Sequence, residues 1–328
     1  MNNVLLEVKD LETSLKINNE WLATVENISF ELSKGEVLGI VGESGCGKSI
    51  LSKSIIKLLP EKISKLSNGE VIFDGKRIDT LNEKQLLDIR GNDIAMIFQE
   101  PMTALNPVFT IKNQLVESIK SHKKISKKEA NNLAKDLLKK VGIARQDEIL
   151  NSYPHQLSGG MRQRVMIAMA ISCSPKLLIA DEPTTALDVT IQAQILDLLK
   201  ELQKETQMAI MMITHDLSVV AEFCDKVLVM YAGQIVEFGG IKEILHNPKH
   251  PYTQKLLSTI PKLKEEQKRL ETIEGIVPSN QAFHVNKCRF ANRCNKKLDI
   301  CNNQSPKMHV CEDVIVRCHL YKNEYKEI

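Results

Sequence analysis

Short apolar runs along this chain alternate with longer segments in which apolar residues recur every three or four positions. Four runs of strand length, at residues 36–41, 93–99, 176–183 and 209–214, are predicted to be strands. The segments 50–59 and 191–202 place their apolar side chains at helical spacing. Alternation of buried strands with helices predicts an α/β fold in which helices surround a mostly parallel sheet.

A second pattern, with shorter β-prone runs separated by turn residues, occupies the N-terminal part of the chain. Residues 4–8 and 28–32 are two such runs, and the second is followed by Ser-Lys-Gly. Residues 70–77 contain the dipeptide Asp74-Gly75, which is typical of a tight hairpin turn. Together these features predict a small antiparallel sheet.

Residues 111–150 carry a helical pattern, and the part from 125 to 141 is rich in lysine. A basic helix can bind nucleic acid or a membrane surface. More often its charges form a solvated face opposite a buried one, and that interpretation is favoured here. We therefore expect no nucleic acid partner.

One stretch has the spacing G-x-x-x-x-G-K-S between a predicted strand and a predicted helix, which is the Walker A phosphate loop. Glycines allow successive backbone N–H groups to point into one concavity, and the helix start adds its own N–H groups. The lysine can reach the β- and γ-phosphates of a nucleotide, and the serine can bind Mg²⁺. The loop consists of Gly42, Glu43, Ser44, Gly45, Cys46, Gly47, Lys48 and Ser49.

Polar residues follow three of the predicted strands, where a parallel sheet binds its ligands. Gln99 ends the run 93–99 and is placed to reach a metal ion or a water molecule. Asp181 suits Mg²⁺ coordination, Glu182 suits polarising a water molecule, and His215 follows the run 209–214. These positions predict a hydrolytic site at the carboxyl ends of the strands.

Two further features point to nucleotide contacts. Ser158, Gly159 and Gly160 open an apolar helix, so they form a second helix start suited to holding an anion. Trp21 precedes Lys48 and could stack on an adenine base, although packing on the surface of the sheet is an equally good interpretation.

Composition limits the class of protein. The chain has 328 residues, a formal net charge of +3 and 43% apolar residues, as in soluble globular proteins. No apolar run reaches the ~18 residues of a membrane helix, and residues 1–4 lack a signal-peptide pattern. We expect a cytoplasmic protein whose membrane role, if any, depends on a partner.

The eight cysteines are unevenly distributed. Three are scattered, and five crowd the last 41 residues. In a reducing compartment such a cluster indicates a metal centre, and spacing alone does not choose between zinc and iron–sulfur. The clustered residues are Cys288, Cys294, Cys301, Cys311 and Cys318.

Taken in order, these motifs resemble those of the ABC-type ATPases. The Leu-Ser-Gly-Gly signature separates this family from other phosphate-loop NTPases, and the resemblance extends from residue 4 to about 240. The motifs that carry it are residues 42–49, Gln99, residues 157–160, Asp181-Glu182, Ala186-Leu187-Asp188 and His215.

More specific segments resemble the ATPase subunits of peptide importers. They are residues 161–170, residues 181–190 and His-Pro-Tyr-Thr at 250–253. The cysteine pattern is similar to the C-terminal extension of oligopeptide and dipeptide permease ATPases, which carries a four-iron, four-sulfur cluster. The matching ligands here are Cys288, Cys294, Cys301 and Cys318, and Cys311 departs from the pattern as a fifth cysteine.

The resemblance implies an ABC-type P-loop ATPase fold. Its parts are a mostly parallel core sheet, a small antiparallel β subdomain, a helical signature subdomain and a small Cys-rich C-terminal extension. On this basis we expect an ATPase domain at 1–240, with its helical subdomain at about 100–165, and the extension at 241–328.

The resemblance also implies roles for single residues. Residues 42–49 hold the phosphates of ATP, with Mg²⁺ bound through Ser49, Gln99 and Asp181. Glu182 acts as general base, Gln99 also contacts the attacking water, and His215 contacts the γ-phosphate. Ser158, Gly159 and Gly160 contact the ATP of a partner subunit, and Asp188 crosses the dimer interface.

The expected partners are a second ABC ATPase, two membrane permease subunits and, indirectly, an extracytoplasmic substrate-binding protein. The chain would act at the cytoplasmic face of the membrane and power the uptake of dipeptides or oligopeptides. Two alternatives stay open: the same motor for nickel or another small solute, and a non-transport ABC ATPase acting on ribosomes or DNA.

Overall fold

The computed structural model describes residues 3–99, 104–185, 187–259, 275–278, 286–322 and 325–327. Ala186, which belongs to one of the predicted motifs, lies outside these ranges. The chain forms two compact units. We call residues Val4–Leu32, Val37–Asp79 and those from 212 onward the phosphate-loop unit, and Thr80–Met211 with Ser33–Glu36 the helical unit.

The described elements follow one another in this order. The strands are β1 (Val4–Ile17), β2 (Glu20–Ser33), β3 (Val37–Val41), β4 (Ser64–Phe73), β5 (Lys76–Arg77), β6 (Ile94–Ile97), β7 (Leu177–Asp181), β8 (Ala209–Thr214), β9 (Lys226–Tyr231), β10 (Gln234–Gly240), β11 (Met308–Cys311), β12 (Val314–Arg317) and β13 (Lys326–Glu327). The α-helices are α1 (Lys48–Ile55), α2 (Glu83–Ile89), α3 (Ile111–His122), α4 (Lys127–Lys140), α5 (Gln146–Asn151), α6 (Gly159–Ala170), α7 (Val189–Thr206), α8 (Leu217–Phe223), α9 (Ile241–His246) and α10 (Pro251–Ser258). Short 3₁₀ helices cover Pro154–Gln156, Asp299–Asn302 and His319–Tyr321.

The predicted antiparallel sheet lies in the phosphate-loop unit and has the order β2-β1-β4-β5. Its strands are longer than the sequence indicated, since β1 and β2 each span 14 residues. The turn between β4 and β5 places Asp74 at φ 46° and Gly75 at φ 77°. Both angles are left-handed, as a two-residue hairpin turn of this type requires, and the predicted hairpin is confirmed.

A second group of strands in the same unit surrounds the fully buried β3. β3 pairs in parallel with β9, and β9 pairs antiparallel with β10. The C-terminal strand β12 then pairs antiparallel with β10 through residues 314–316. The Cys-rich end of the chain therefore extends the strand group that carries the phosphate loop.

The helical unit contains the parallel pair β6 and β7. Residues 111–150 form three helices rather than one continuous stretch. Ser126 begins α4 with a capping box, and Gly142 follows its end at φ 75°. Ala130 and Leu138 are fully buried in α4 whereas its lysines lie toward solvent, as a solvated basic face predicts. Within the described ranges, no helix is both long and apolar enough to cross a membrane.

Candidate nucleotide-binding and hydrolysis site

The phosphate loop connects the end of β3 to the start of α1. Gly42, Gly45 and Gly47 have φ values of 157°, 79° and 104°. A side chain at Gly42 would have no room, because its Cβ would lie 2.3 Å from the main-chain oxygen of Met230. The loop thus needs glycine both for its backbone angles and for the close approach of β9.

Lys48 is the first residue of α1 and is only 5% exposed. Its Nζ donates hydrogen bonds to the main-chain oxygens of Gly42 at 2.7 Å and Glu43 at 3.2 Å. The cationic group therefore lies directly against the loop. Cys46 is buried as well, and burial raises the pKa of its thiol.

Glu43 has contacts that the sequence did not indicate. Its backbone N–H donates to the Tyr252 hydroxyl at 2.9 Å. Its carboxylate accepts two hydrogen bonds from the Arg293 guanidinium, at 2.6 Å from Nη1 and 2.9 Å from Nη2. The C-terminal part of the chain therefore contacts the phosphate loop directly.

Trp21, the predicted adenine-stacking residue, lies in β2 and is 39% exposed. The ammonium group of Lys65 lies over its ring, 4.7 Å from the centroid. A cation at this distance contacts the face that a base would use.

In the helical unit, Asp181 and Glu182 come at the end of β7, as predicted. Asp181 is 1% exposed. Glu182 has φ 49°, a left-handed conformation that is strained for a residue with a side chain. Its Oε2 accepts hydrogen bonds from Gln99 Nε2 at 3.1 Å and from the Thr185 hydroxyl at 2.8 Å. The structure brings together Gln99 and Glu182, two of the predicted residues, and adds Thr185.

His215, in the phosphate-loop unit, follows the last residue of β8. The next residue, Asp216, donates its N–H to the Thr214 hydroxyl at 3.0 Å and caps α8 by accepting from Ser218 N at 2.8 Å. His215 is therefore placed between a buried strand end and a capped helix start.

The signature residues begin α6. Ser158 is its N-cap and accepts a hydrogen bond from Met161 N at 3.3 Å. Asp188 caps α7 in the same way by accepting from Ile191 N at 3.0 Å. The two helix starts are packed together, since a Cβ on Gly160 would lie 2.8 Å from Ile191 Cγ2. A Cβ on Gly159 would lie an ordinary 3.4 Å from Leu187 Cδ2.

Four of the C-terminal cysteines lie near one another. The Cys288 N–H donates to the Cys301 main-chain oxygen at 3.0 Å. Burial raises the pKa of Cys288 to about 11 and that of Cys318 to about 12; Cys294 and Cys301 add to both shifts, and Cys288 adds to that of Cys318. Burial, with a contribution from Cys301, also raises the pKa of Cys294. Cys311 is fully buried in β11.

No group of three or more His, Cys, Asp or Glu side chains surrounds a single metal position in the part of the chain that the structure describes.

Comparison with known families gives two matches that follow one another along the chain. Residues 25–185 match the ABC transporter family. Residues 236–301 match the family described as the oligopeptide/dipeptide transporter C-terminal region. The second match contains Tyr252, Arg293 and three of the clustered cysteines.

Individual relatives cover nearly the whole chain. The oligopeptide transport ATP-binding protein AppD of Bacillus subtilis is 48% identical over 326 residues, which cover 99% of each chain. The dipeptide transport ATP-binding protein DppD of the same organism is 48% identical, over 94% of this chain and 92% of its own.

Among solved structures, the dimeric bacterial ABC transporter cassette MJ0796 is similar with a TM-score of 0.65 and 29% identity. The match covers 72% of this chain and 99% of that one. The expected ABC ATPase fold is confirmed, and the chain belongs to the ATP-binding proteins of the ABC transporter family, in its oligopeptide/dipeptide branch.

Proposed function

We propose that this protein is the ATP-hydrolysing subunit of an importer that takes up dipeptides or oligopeptides. Similarity to peptide transport ATP-binding proteins over nearly the whole length supports this, because it includes the C-terminal region as well as the ATPase motifs. The protein binds permease subunits at the cytoplasmic face of the membrane and works with a substrate-binding protein outside it. Residues 241–328 form the extension characteristic of this branch.

The phosphate loop binds ATP. Its backbone N–H groups and Lys48 neutralise the phosphates, and phosphoryl transfer depends mainly on such positioning and neutralisation. Mg²⁺ would be held by Ser49, Asp181 and Gln99. These oxygen donors are the ligand types that Mg²⁺ prefers, so the residues present fit the ion, which supplies charge neutralisation at the phosphates.

Glu182 is the general base that accepts the proton of the attacking water. This role is supported by the geometry of Glu182. Its backbone is strained and follows a buried aspartate, and its carboxylate is held by hydrogen bonds from Gln99 and Thr185. Strain of this kind is concentrated at functional sites. His215 contacts the γ-phosphate and stabilises its charge.

Hydrolysis needs a second ATPase subunit, which we propose to be a sister chain. Ser158, Gly159 and Gly160 form an anion-binding helix start in addition to the one at the phosphate loop. In a head-to-tail pair, this signature contacts the ATP bound by the partner. Asp188, packed beside it, lies at the interface between the two subunits.

The cargo is tested by uptake. Cells lacking this gene should lose uptake of labelled dipeptides or oligopeptides, and uptake of ⁶³Ni²⁺ should continue. Wild-type protein should restore peptide uptake and Lys48→Ala should not. Loss of nickel uptake with normal peptide uptake would contradict the peptide assignment and support the alternative solute.

The C-terminal extension binds a four-iron, four-sulfur cluster through Cys288, Cys294, Cys301 and Cys318. The donor set fits: burial, with smaller contributions from neighbouring thiols, raises the pKa of Cys288, Cys294 and Cys318, and a cationic centre would stabilise their thiolates. A cluster spans its four ligands more widely than a single ion does, so thiols that do not surround one metal position are compatible with it. We propose a structural role, in which the cluster ties the four segments together.

Protein purified without oxygen should be brown and contain about four irons per chain. Cys294→Ser should lower the iron content, while Cys311→Ser, which alters a buried cysteine outside the group, should leave it unchanged. Colourless protein with one zinc per chain, or iron loss from Cys311→Ser alone, would contradict this ligand set.

A further inference from the structure

Glu43, within the phosphate loop, has all of its polar groups engaged. Its main-chain oxygen accepts from Lys48, its N–H donates to Tyr252, and its carboxylate accepts twice from Arg293. Tyr252 and Arg293 follow Glu43 by 209 and 250 residues. The conformation of this loop residue is therefore set by the C-terminal part of the chain.

Arg293 is itself firmly placed. Its side chain is 6% exposed and lies over the Tyr231 ring, 5.8 Å from the centroid. Its main-chain oxygen accepts a hydrogen bond from Lys255 Nζ at 2.7 Å. Tyr231, Tyr252 and Phe290 pack against one another beside it, with ring centroids 4.8–5.4 Å apart. The guanidinium thus has little freedom to leave the carboxylate.

The charge of Glu43 makes this contact relevant to nucleotide binding. A carboxylate in a phosphate-binding loop repels the phosphates of ATP, and the repulsion is strong where water is partly excluded. A bidentate arginine cancels that charge and fixes the carboxylate orientation at the same time. The ion pair therefore reduces the repulsion between Glu43 and the phosphates, which a hydrophobic contact at this position could not do.

We propose that Arg293 is a positioning residue of the ATP site, which neutralises and orients Glu43 so that ATP affinity depends on the docked C-terminal segment. The proposal rests on ATP binding by the phosphate loop. It depends neither on the transported solute nor on what the cysteines bind.

Four full-length proteins test it: wild type, Arg293→Gln, Glu43→Gln and the double variant. The dissociation constant for MgATP is measured by equilibrium binding at low salt. Relative to wild type, the local charge changes by −1 in Arg293→Gln, by +1 in Glu43→Gln and by zero in the double variant. We expect Arg293→Gln to weaken ATP binding about tenfold, and Glu43→Gln to strengthen it. The double variant should return to within about threefold of wild type.

Two controls separate this effect from general damage. Lys249→Gln removes another C-terminal ion pair, with Glu312 at 3.1 Å, and should leave ATP affinity unchanged. Arg293→Lys keeps the charge but not the bidentate contact, so it should weaken ATP binding by less than Arg293→Gln does. It provides a measurement if Arg293→Gln does not fold. Raising the salt concentration should reduce the differences in ATP affinity among wild type, the two single variants and the double variant, because salt screens charges.

Wild-type ATP affinity in Arg293→Gln would overturn the proposal. So would a double variant as weak as Arg293→Gln, since Arg293 would then not act through Glu43. If Arg293→Gln fails to fold, a tenfold or larger loss of ATP affinity in Arg293→Lys would overturn it, because the charge is still present. A wild-type protein that bound no ATP would instead contradict the proposed function itself.

Discussion

Gln99 and Glu182 lie 83 residues apart in the sequence and are joined by a hydrogen bond of 3.1 Å from Gln99 Nε2 to Glu182 Oε2. Thr185 donates to the same oxygen at 2.8 Å. A carboxylate with two donors on one oxygen is held in a single orientation. The group that we propose as general base is therefore prepositioned, and positioning is a large part of catalysis of phosphoryl transfer.

The Thr185 hydroxyl can be removed without changing the shape of its side chain. Thr185→Val should lower kcat about tenfold, because a misplaced base loses part of its catalytic effect. Its affinity for MgATP should stay within about twofold, since the hydroxyl orients Glu182 and not the nucleotide. Steady-state phosphate release and equilibrium ATP binding measure the two effects separately.

Thr184→Val is the matched control. Thr184 is the preceding residue, and its hydroxyl makes no hydrogen bond to Glu182 or to any other described residue. It should keep wild-type kcat. Equal losses in the two variants, or an effect of Thr185→Val on ATP affinity alone, would contradict the role assigned to Thr185.

The signature glycines provide a test of the two-subunit arrangement. Gly159 has room for a side chain, whereas Gly160 does not. Gly159→Asp should place a carboxylate against the phosphates held by the partner subunit, and like charges repel strongly there. ATP should still bind to the isolated variant chain. In the assembled transporter, hydrolysis at the partner's site should fall about a hundredfold.

Gly159→Ala adds the same Cβ without the charge, so it should lose much less activity than Gly159→Asp. The comparison therefore isolates electrostatics from packing. If Gly159→Asp blocked ATP binding to the isolated chain, the signature would serve its own subunit and the head-to-tail arrangement would be wrong.

Local sequence signals were sufficient for much of the fold. The turn at Asp74 and Gly75 follows from the φ angles that these residue types tolerate, and the buried strand before Gly42 follows from an uninterrupted apolar run. The strands before Asp181 and His215 were predicted for the same reason. The length of β1 and β2 was not predicted, because each strand continues through a turn-prone residue of left-handed φ, Asp10 at 45° and Asn27 at 51°, which in the sequence resembles the end of a strand.

The missed features of the site depend on tertiary contacts. Nothing near Glu43 in the sequence indicates Arg293, 250 residues away. The left-handed backbone of Glu182 opposes the local preference of a glutamate, so only the surrounding structure can impose it. Thr185 lies within the motif at 181–190, but its contact with Glu182 needs that unusual turn.

His250 gives the folded state a pH dependence. It is fully buried, its Nδ1 accepts from Tyr252 N at 3.0 Å, and burial lowers its pKa from 6.5 to about 3. As the pH falls below 6.5, the unfolded chain gains a proton that the folded chain does not. The contribution of His250 to the free energy of unfolding therefore falls as the pH is lowered from about 6.5 to about 3. From pH 7 to pH 5 the loss is about 2 kcal/mol.

Glu237, which accepts a hydrogen bond from His250 N, has the opposite effect on the pH dependence of stability. Burial raises its pKa, so the folded state gains stability from it as the pH falls. His250→Asn isolates the histidine, because asparagine can also cap α10 but does not titrate. Denaturant unfolding at pH 7 and pH 5 should show a smaller stability loss in His250→Asn than in wild type. An equal loss would exclude His250 as the cause.

ATP hydrolysis by the assembled transporter with Glu182→Gln, compared with wild type and with Lys48→Ala, tests the proposed hydrolysis mechanism most directly. Glu182→Gln should bind MgATP as wild type does and release phosphate at least about a hundredfold more slowly, because glutamine cannot accept the proton of the attacking water. Lys48→Ala should lose nucleotide binding itself, since we propose that its ammonium group neutralises the phosphates. Phosphate release by Glu182→Gln at the wild-type rate would contradict the assignment of Glu182 as general base.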